Sequence, residues 1–143
     1  MGVELVDVEP GDPRLEADLL PVLKQLRPHL DGPTYAAVYE RGHPQGLRFL
    51  AAYDGDRCVG VAGWRLLFST HTLAKLHVDD LVTAEDARST GVGHALLAEL
   101  TDRARAAGCQ VLDLDSGVHR HDAHRFYFRE RMHISSHHFL REL

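Results

Sequence analysis

The chain has 143 residues, 44% hydrophobic and 26% charged, with 12 Gly and 6 Pro. These are ordinary values for a globular protein and exclude a disordered, collagen-like or repeat chain; one domain over residues 1–143 is expected. The net charge of −5, counted with the 11 His neutral, weighs against a nucleic-acid binder that works by neutralising phosphates.

Residues 3–8 alternate and predict a first strand. Asp12-Pro13 opens a helix that runs to about residue 29 with Leu15, Leu19, Val22, Leu23 and Leu26 on one face; Pro21 kinks or divides it. Thr34 to Arg41 is a second short helix, stopped by Gly42 and Pro44. Residues 47–53 form a strand, Asp54-Gly55-Asp56 a hairpin turn, and residues 58–69 and 72–83 two further strands. Residues 91–107 are the clearest helix, with Val92, Leu96, Leu100, Ala104 and Ala107 at helical spacing and Gly108 as the stop. A strand over 111–115, parallel to its predecessor, a helix over 121–130 and a last strand over 133–140 complete the order β-α-α-β-β-β-α-β-α-β. The implied fold is α/β, a mixed sheet in a three-layer arrangement.

Cys58 and Cys109 belong to no CxxC pair, which excludes a zinc ribbon and favours two free thiols over a disulfide. The segment before Pro10 is acidic and does not read as a signal peptide, and no apolar run approaches the roughly 20 residues that span a bilayer. A cytoplasmic protein with no membrane partner is expected.

The most informative segment runs from Asp80 to Leu97. A strand ends near Thr83, and Arg88-x-x-Gly91-x-Gly93 then opens the strongest helix. Glycines there let backbone approach an anion, the N–H groups of the first turn point at it, and the helix dipole adds its positive end. Arg88 supplies a planar fork for phosphate oxygens. A Walker loop is excluded because no Gly-Lys-Ser/Thr follows, and a dinucleotide fingerprint because Leu96 stands where a third Gly belongs.

Arg88, Gly91 and Gly93, followed by Ala95-Leu96-Leu97, resemble the central motif of the GNAT superfamily of acyl-CoA-dependent N-acyltransferases. Ala123-His-Arg-Phe126-Tyr127 resembles the family's Ala-x-x-Phe-Tyr on the helix after the next strand, and the element order agrees over nearly the whole length. Departures are Arg120 where the family often has Asn, Arg131-Met132 where it often has Gly-Phe, and one strand after the last helix where many members have two.

The resemblance implies a mostly antiparallel mixed sheet whose fourth strand splays from the fifth, with the pantetheine arm of acetyl-CoA in the gap. Backbone groups of Leu81, Val82 and Thr83 would pair with that arm. The pyrophosphate would sit on the N–H groups of Arg88, Ser89, Thr90, Gly91, Val92, Gly93 and His94, with Arg120, His124 and Tyr127 beside the cofactor. An amine would attack the thioester directly in a ternary complex, and an alkylamine with a pKa of about 10.4 must first lose a proton. Asp79 and Asp80 lie where many members carry an acidic residue. Simple alternation along a strand favours Asp79 as base, on the face of Leu81 and Thr83, with His77 in reserve; a bulge would exchange Asp79 and Asp80. The plain alternative for the acidic pair is a solvated turn or a complement to substrate charge. Tyr127 matches the tyrosine that protonates the leaving thiolate.

Tyr35 and Tyr39 fall on the second helix, which borders the acceptor cleft in this family; aromatic rings there, with Asp79, suit a cationic amine. Packing on the sheet is the plain alternative. The tail resembles small bacterial members that act on small amines, and protein N-termini and lysines are further acceptors. A non-catalytic CoA-binding or regulatory module on the same fold is the competing class. The run His119-Arg-His121-Asp122-Ala-His124 has the wrong order for a metallo-β-lactamase-like site and is read as flanking the cofactor or facing solvent, with no metal. A lone last strand would leave a sheet edge at 133–140, which implies a homodimer.

Overall fold

The computed structural model describes residues 2–143. Strand β1 (Glu4–Val8) is followed by a π-helical turn (Leu15–Leu19), the short helix α1 (Leu20–Leu23) and helix α2 (Gly32–Gly42). A 3-10 turn (His43–Gln45) leads into strands β2 (Arg48–Asp54), β3 (Arg57–Ser69) and β4 (Leu73–Thr83). A second 3-10 turn (Glu85–Ala87) precedes helix α3 (Val92–Ala106), strand β5 (Val111–Leu114) and helix α4 (His121–Arg129). The five strands lie in the order β1-β2-β3-β4-β5. The first three neighbouring pairs are antiparallel, and β5 makes the sheet mixed.

The chain divides after Asp113 into two compact units. In the first, the sheet separates two layers of helix. Bare α-carbons on β3 show which face meets which helix. A β-carbon on Gly60 would lie 2.6 Å from Val92 and 3.0 Å from Leu96 of α3. Gly63, at odd spacing from Gly60 and so on the opposite face, would meet Phe49 at 2.9 Å. Phe49 in turn packs edge-on against Tyr35 and Tyr39 of α2, at centroid distances of 5.2 and 4.8 Å. The core is mainly aliphatic, built on Leu19, Leu23, Leu50, Val61, Leu76, Leu96 and Leu100 among others, all of them buried, with the Tyr35, Tyr39 and Phe49 rings on one side.

Two expectations need correction. The helix read from residue 12 to 29 is shorter, a π-helical turn that runs directly into the four-residue α1 and ends at Leu23, with Pro21 inside the first turn of α1. Proline has no N–H to give to the preceding turn, and the hydrogen-bond pattern changes from π to α next to it. The strand expected over 133–140 does not form: these residues have no regular secondary structure and are exposed. Alternation predicts a strand only where a neighbour supplies hydrogen bonds, and none of the sheet's five strands pairs with this segment. The sheet edge on which self-pairing rested is therefore not formed within the chain. Cys58 and Cys109 are both free thiols.

The second unit, Leu114–Leu143, consists of α4 with irregular chain on either side. No residue of α4 is fully buried within it.

Candidate active site

The sheet carries a β-bulge where the site lies. Along β3 and β4 the pairs run Arg65↔His77 and Trp64↔Val78, then Gly63↔Asp80 and Ala62↔Leu81. Asp79 is the extra residue. Residues directly opposite share a face. Leu81 and Thr83, opposite Ala62 and Gly60, therefore face α3, whereas Asp80 and His77, opposite Gly63 and Arg65, face the α1–α2 side. Simple alternation had put Asp79 with Leu81 and Thr83; the bulge overturns that placement, and Asp79 joins the α1–α2 face through Arg65.

This face carries a seam of paired charges. Arg27 Nε donates to Asp80 Oδ1 at 2.8 Å and its Nη2 to the Asp79 carbonyl at 3.1 Å. Arg65 Nε donates to Asp79 Oδ2 at 2.8 Å. Asp113 of β5 accepts from Lys75 Nζ at 2.8 Å and pairs with His77 Nδ1 at 2.7 Å. Burial pushes the Asp80 carboxyl above its ordinary value, against the pull of Arg27. Burial also raises that of Asp113, but the hydrogen bonds from Lys75 and His77 outweigh it and hold the carboxyl below its ordinary value.

The expected acceptor aromatics are core residues. Tyr35 and Tyr39 are 2% and 1% exposed. Tyr39 donates its hydroxyl to the Val8 carbonyl at 2.6 Å, and the Tyr35 hydroxyl is buried without a protein partner. Neither ring is presented to a ligand at the surface; packing on the sheet, the plain alternative, is what they do.

The turn before α3 has the geometry of an anion cradle. Ser89 and Gly91 both take positive φ, 65° and 91°. Gly91 caps α3 with no side-chain hydrogen bond, and a β-carbon there would meet nothing within 4 Å. Thr90 Oγ1 pins the loop by donating to the Ala87 carbonyl at 2.5 Å. Arg88 is exposed at the entrance. Upstream, Leu81, Val82 and Thr83 pair with Ala62, Val61 and Gly60 along one edge of β4. On the other side, β5 has four residues against eleven in β4, so it cannot pair with β4 over its whole length.

In the second unit Tyr127 lies on α4. Burial raises its hydroxyl above the ordinary tyrosine value, and the Arg120 guanidinium draws it back down. Arg120 stands at the start of α4, and His124 Nε2 is 2.9 Å from the Gly117 carbonyl. His121 and His124 meet edge-on at 6.0 Å. Sequence reasoning missed Arg27, Arg65, Lys75, Gly63 and Asp113. Arg27 follows α1, Gly63 and Arg65 lie on β3, Lys75 on β4 and Asp113 on β5, and no local pattern marks them.

The family model for the acetyltransferase (GNAT) family matches residues 15–133. The uncharacterized N-acetyltransferase YhdJ of Bacillus subtilis is 36% identical over 112 residues, 78% of this chain and 79% of that protein. The aminoalkylphosphonate N-acetyltransferase of Salmonella typhimurium is 34% identical over 82 residues, 57% of this chain and 53% of that protein. A solved structure of AAC(6')-Iy in complex with the bisubstrate analogue CoA-S-monomethyl-acetylneamine shares the fold, with a TM-score of 0.84 over 100% of this chain and 99% of that one at 14% identity. With the family model spanning most of the chain and a curated relative above 30% identity, the protein belongs to the GNAT family of acetyltransferases.

Proposed function

We propose that this protein transfers an acetyl group from acetyl-CoA to the primary amine of a small molecule, working as a single cytoplasmic domain. The observation that carries the reading is the bulge at Asp79, which brings His77, Asp79 and Asp80 to one face of the strand leading to the uncapped start of α3. Backbone groups of Leu81 to Thr83 hold the pantetheine arm, and the turn from Arg88 to His94 holds the pyrophosphate.

The acceptor arrives as an ammonium ion, for which Asp79 supplies complementary charge. His77 takes its proton at Nε2, because an ionised Asp113 only accepts and so fixes the Nδ1 proton. The amine then attacks the thioester carbonyl. A C–N bond forms, a β4 backbone N–H stabilises the oxyanion, the C–S bond breaks, and the new amide nitrogen gives up its second proton to solvent. Tyr127 gives its proton to the departing thiolate and regains one from solvent. Its raised hydroxyl keeps that proton at neutral pH.

A second reading makes Asp80 the base, favoured by the burial that raises its carboxyl. His77→Gln separates the two: loss of the acid limb of the kcat–pH profile assigns the base to His77, and its persistence assigns it to Asp80.

The decisive experiment is an acceptor screen with acetyl-CoA, followed by release of free thiol. The panel includes small amines bearing an anionic group, the class named for the Salmonella relative, together with aminoglycosides and peptides with free N-termini or lysines. Turnover of a small amine supports the proposal, and turnover of peptides alone transfers it to protein acetylation. Binding of acetyl-CoA without transfer to any amine replaces it with a CoA-binding module. The exposed segment 133–140 is also proposed to pair with a second copy; a monomer by light scattering at assay concentration removes that part.

A further inference from the structure

Three polar side chains meet on the α1–α2 face of β4 and β5 in an arrangement that charge neutralisation alone does not require. Lys75 and His77 are two residues apart on β4 and share a face. Asp113 comes from β5 and divides its two oxygens between them, Oδ2 to Lys75 Nζ at 2.8 Å and Oδ1 to His77 Nδ1 at 2.7 Å. The alignment of the strands is set just upstream, where the Gln110 N–H donates to the Ala74 carbonyl at 2.8 Å. All three groups are shielded: the side chains of Lys75, His77 and Asp113 are 21%, 19% and 38% exposed.

We propose that Asp113 is a positioning residue for His77, and that Lys75 tempers it, so that the three act as one relay in acetyl transfer. The relay rests on the reading of His77 as the base. Asp113 fixes the proton on Nδ1 and the plane of the ring, which leaves the Nε2 lone pair for the acceptor's proton. It also stabilises the imidazolium that forms when that proton arrives. A carboxylate at this distance without a counter-charge favours the charged form of the ring over the neutral base. The Lys75 ammonium on the second oxygen weakens that pull. Asp113 itself takes no proton: the acceptor loses one, Nε2 gains it, and solvent removes it after turnover.

Each of the other charged groups on this face has an ion-pair partner. Arg65, opposite it on β3, is paired with Asp79, and Arg27 is paired with Asp80. The charge on His77 is therefore governed mainly by Asp113 and Lys75.

Two substitutions test this by moving one quantity in opposite directions. Asp113→Asn keeps the shape and removes the charge, and the acid limb of the kcat–pH profile shifts to lower pH. The kcat value falls at least roughly tenfold, because an amide also permits the wrong tautomer, while KM for acetyl-CoA stays unchanged. Lys75→Met removes the tempering charge and shifts the same limb to higher pH. A purely structural role gives no such opposed pair. Titration of the His77 ring nitrogens by 15N NMR, in the wild type and both variants, reads the same shifts without turnover. Opposed shifts in both measurements support the relay. NMR shifts with an unmoved kinetic limb leave Asp113 as the partner of His77 but take His77 out of the reaction. A His77 titration that Asp113→Asn leaves in place overturns the proposal.

Discussion

The Asp80 carboxylate lies in the space that a side chain on Gly63 would fill: a β-carbon there would come within 3.1 Å of Asp80 Oδ2 and 2.9 Å of Phe49 Cε1. Gly63 is the residue opposite Asp80, on the strand facing the bulge. The glycine on β3 and the extra residue on β4 thus work together. One turns the carboxylate toward the α1–α2 face, and the other leaves room for it against the sheet.

Gly63→Ala follows directly. The new methyl group must displace either the Phe49 ring, held between Tyr35 and Tyr39, or the carboxylate held by Arg27. Overpacking of this kind costs about 1–3 kcal/mol. The expected outcome is a lower urea midpoint with an unchanged denaturant slope, together with a lower kcat. A variant as stable and active as the wild type would show that Asp80 need not sit there.

Asp80 and Asp113 predict opposite pH dependences of stability. The Asp80 carboxyl is raised, so the native state binds its proton more tightly than the unfolded chain does. Its contribution is fully present below the unfolded value and is lost as pH rises through the folded one. The Asp113 carboxyl is lowered; its contribution is present above the unfolded value and is lost as pH falls through the folded one. Urea melts from pH 3 to 7 test both. Relative to wild type, Asp80→Asn gains stability as pH rises through this range, and Asp113→Asn loses it. Parallel curves for the two variants would contradict the opposite environments assigned to these carboxyls.

The parts of the site legible in the sequence are local. Val92, Leu96, Leu100 and Ala104 mark α3 by their own spacing, and Gly91 marks the turn before it because the positive φ there favours a residue without a side chain. The bulge is not local. Asp79 looks like any strand residue until its register against Gly63 and Trp64 is known, and that single slip inverts the faces of everything after it. Asp113 joins His77 only because β5 returns beside β4. The tail failed for the converse reason: His133 to Leu140 alternate like a strand, but a pattern cannot supply the neighbour that a strand needs.

Gly91→Ala tests the anion turn. At φ 91° a side chain is strained, by roughly 1–2 kcal/mol, although nothing stands in its way sterically. Relief of that strain moves the first turn of α3 away from the anion. The expected effect is a severalfold rise in KM for acetyl-CoA with little change in KM for the acceptor. Arg88→Ala, which leaves the backbone alone, raises the same KM and makes it less sensitive to salt. If neither variant alters acetyl-CoA binding, the diphosphate lies elsewhere.

Tyr127→Phe tests the other proton in the reaction. The substitution keeps the ring and deletes only the hydroxyl, so packing on α4 is preserved. The hydroxyl matters only when the C–S bond breaks, so kcat falls while affinity for acetyl-CoA, measured by calorimetry, stays near the wild-type value. A leaving thiolate needs the proton least when it is already a stable anion. Wild type and variant should therefore converge with an acyl donor whose thiol is more acidic than that of CoA, a result that mere loss of packing would not give. An unchanged kcat with acetyl-CoA removes Tyr127 from the chemistry and leaves it as a half-buried packing residue of α4.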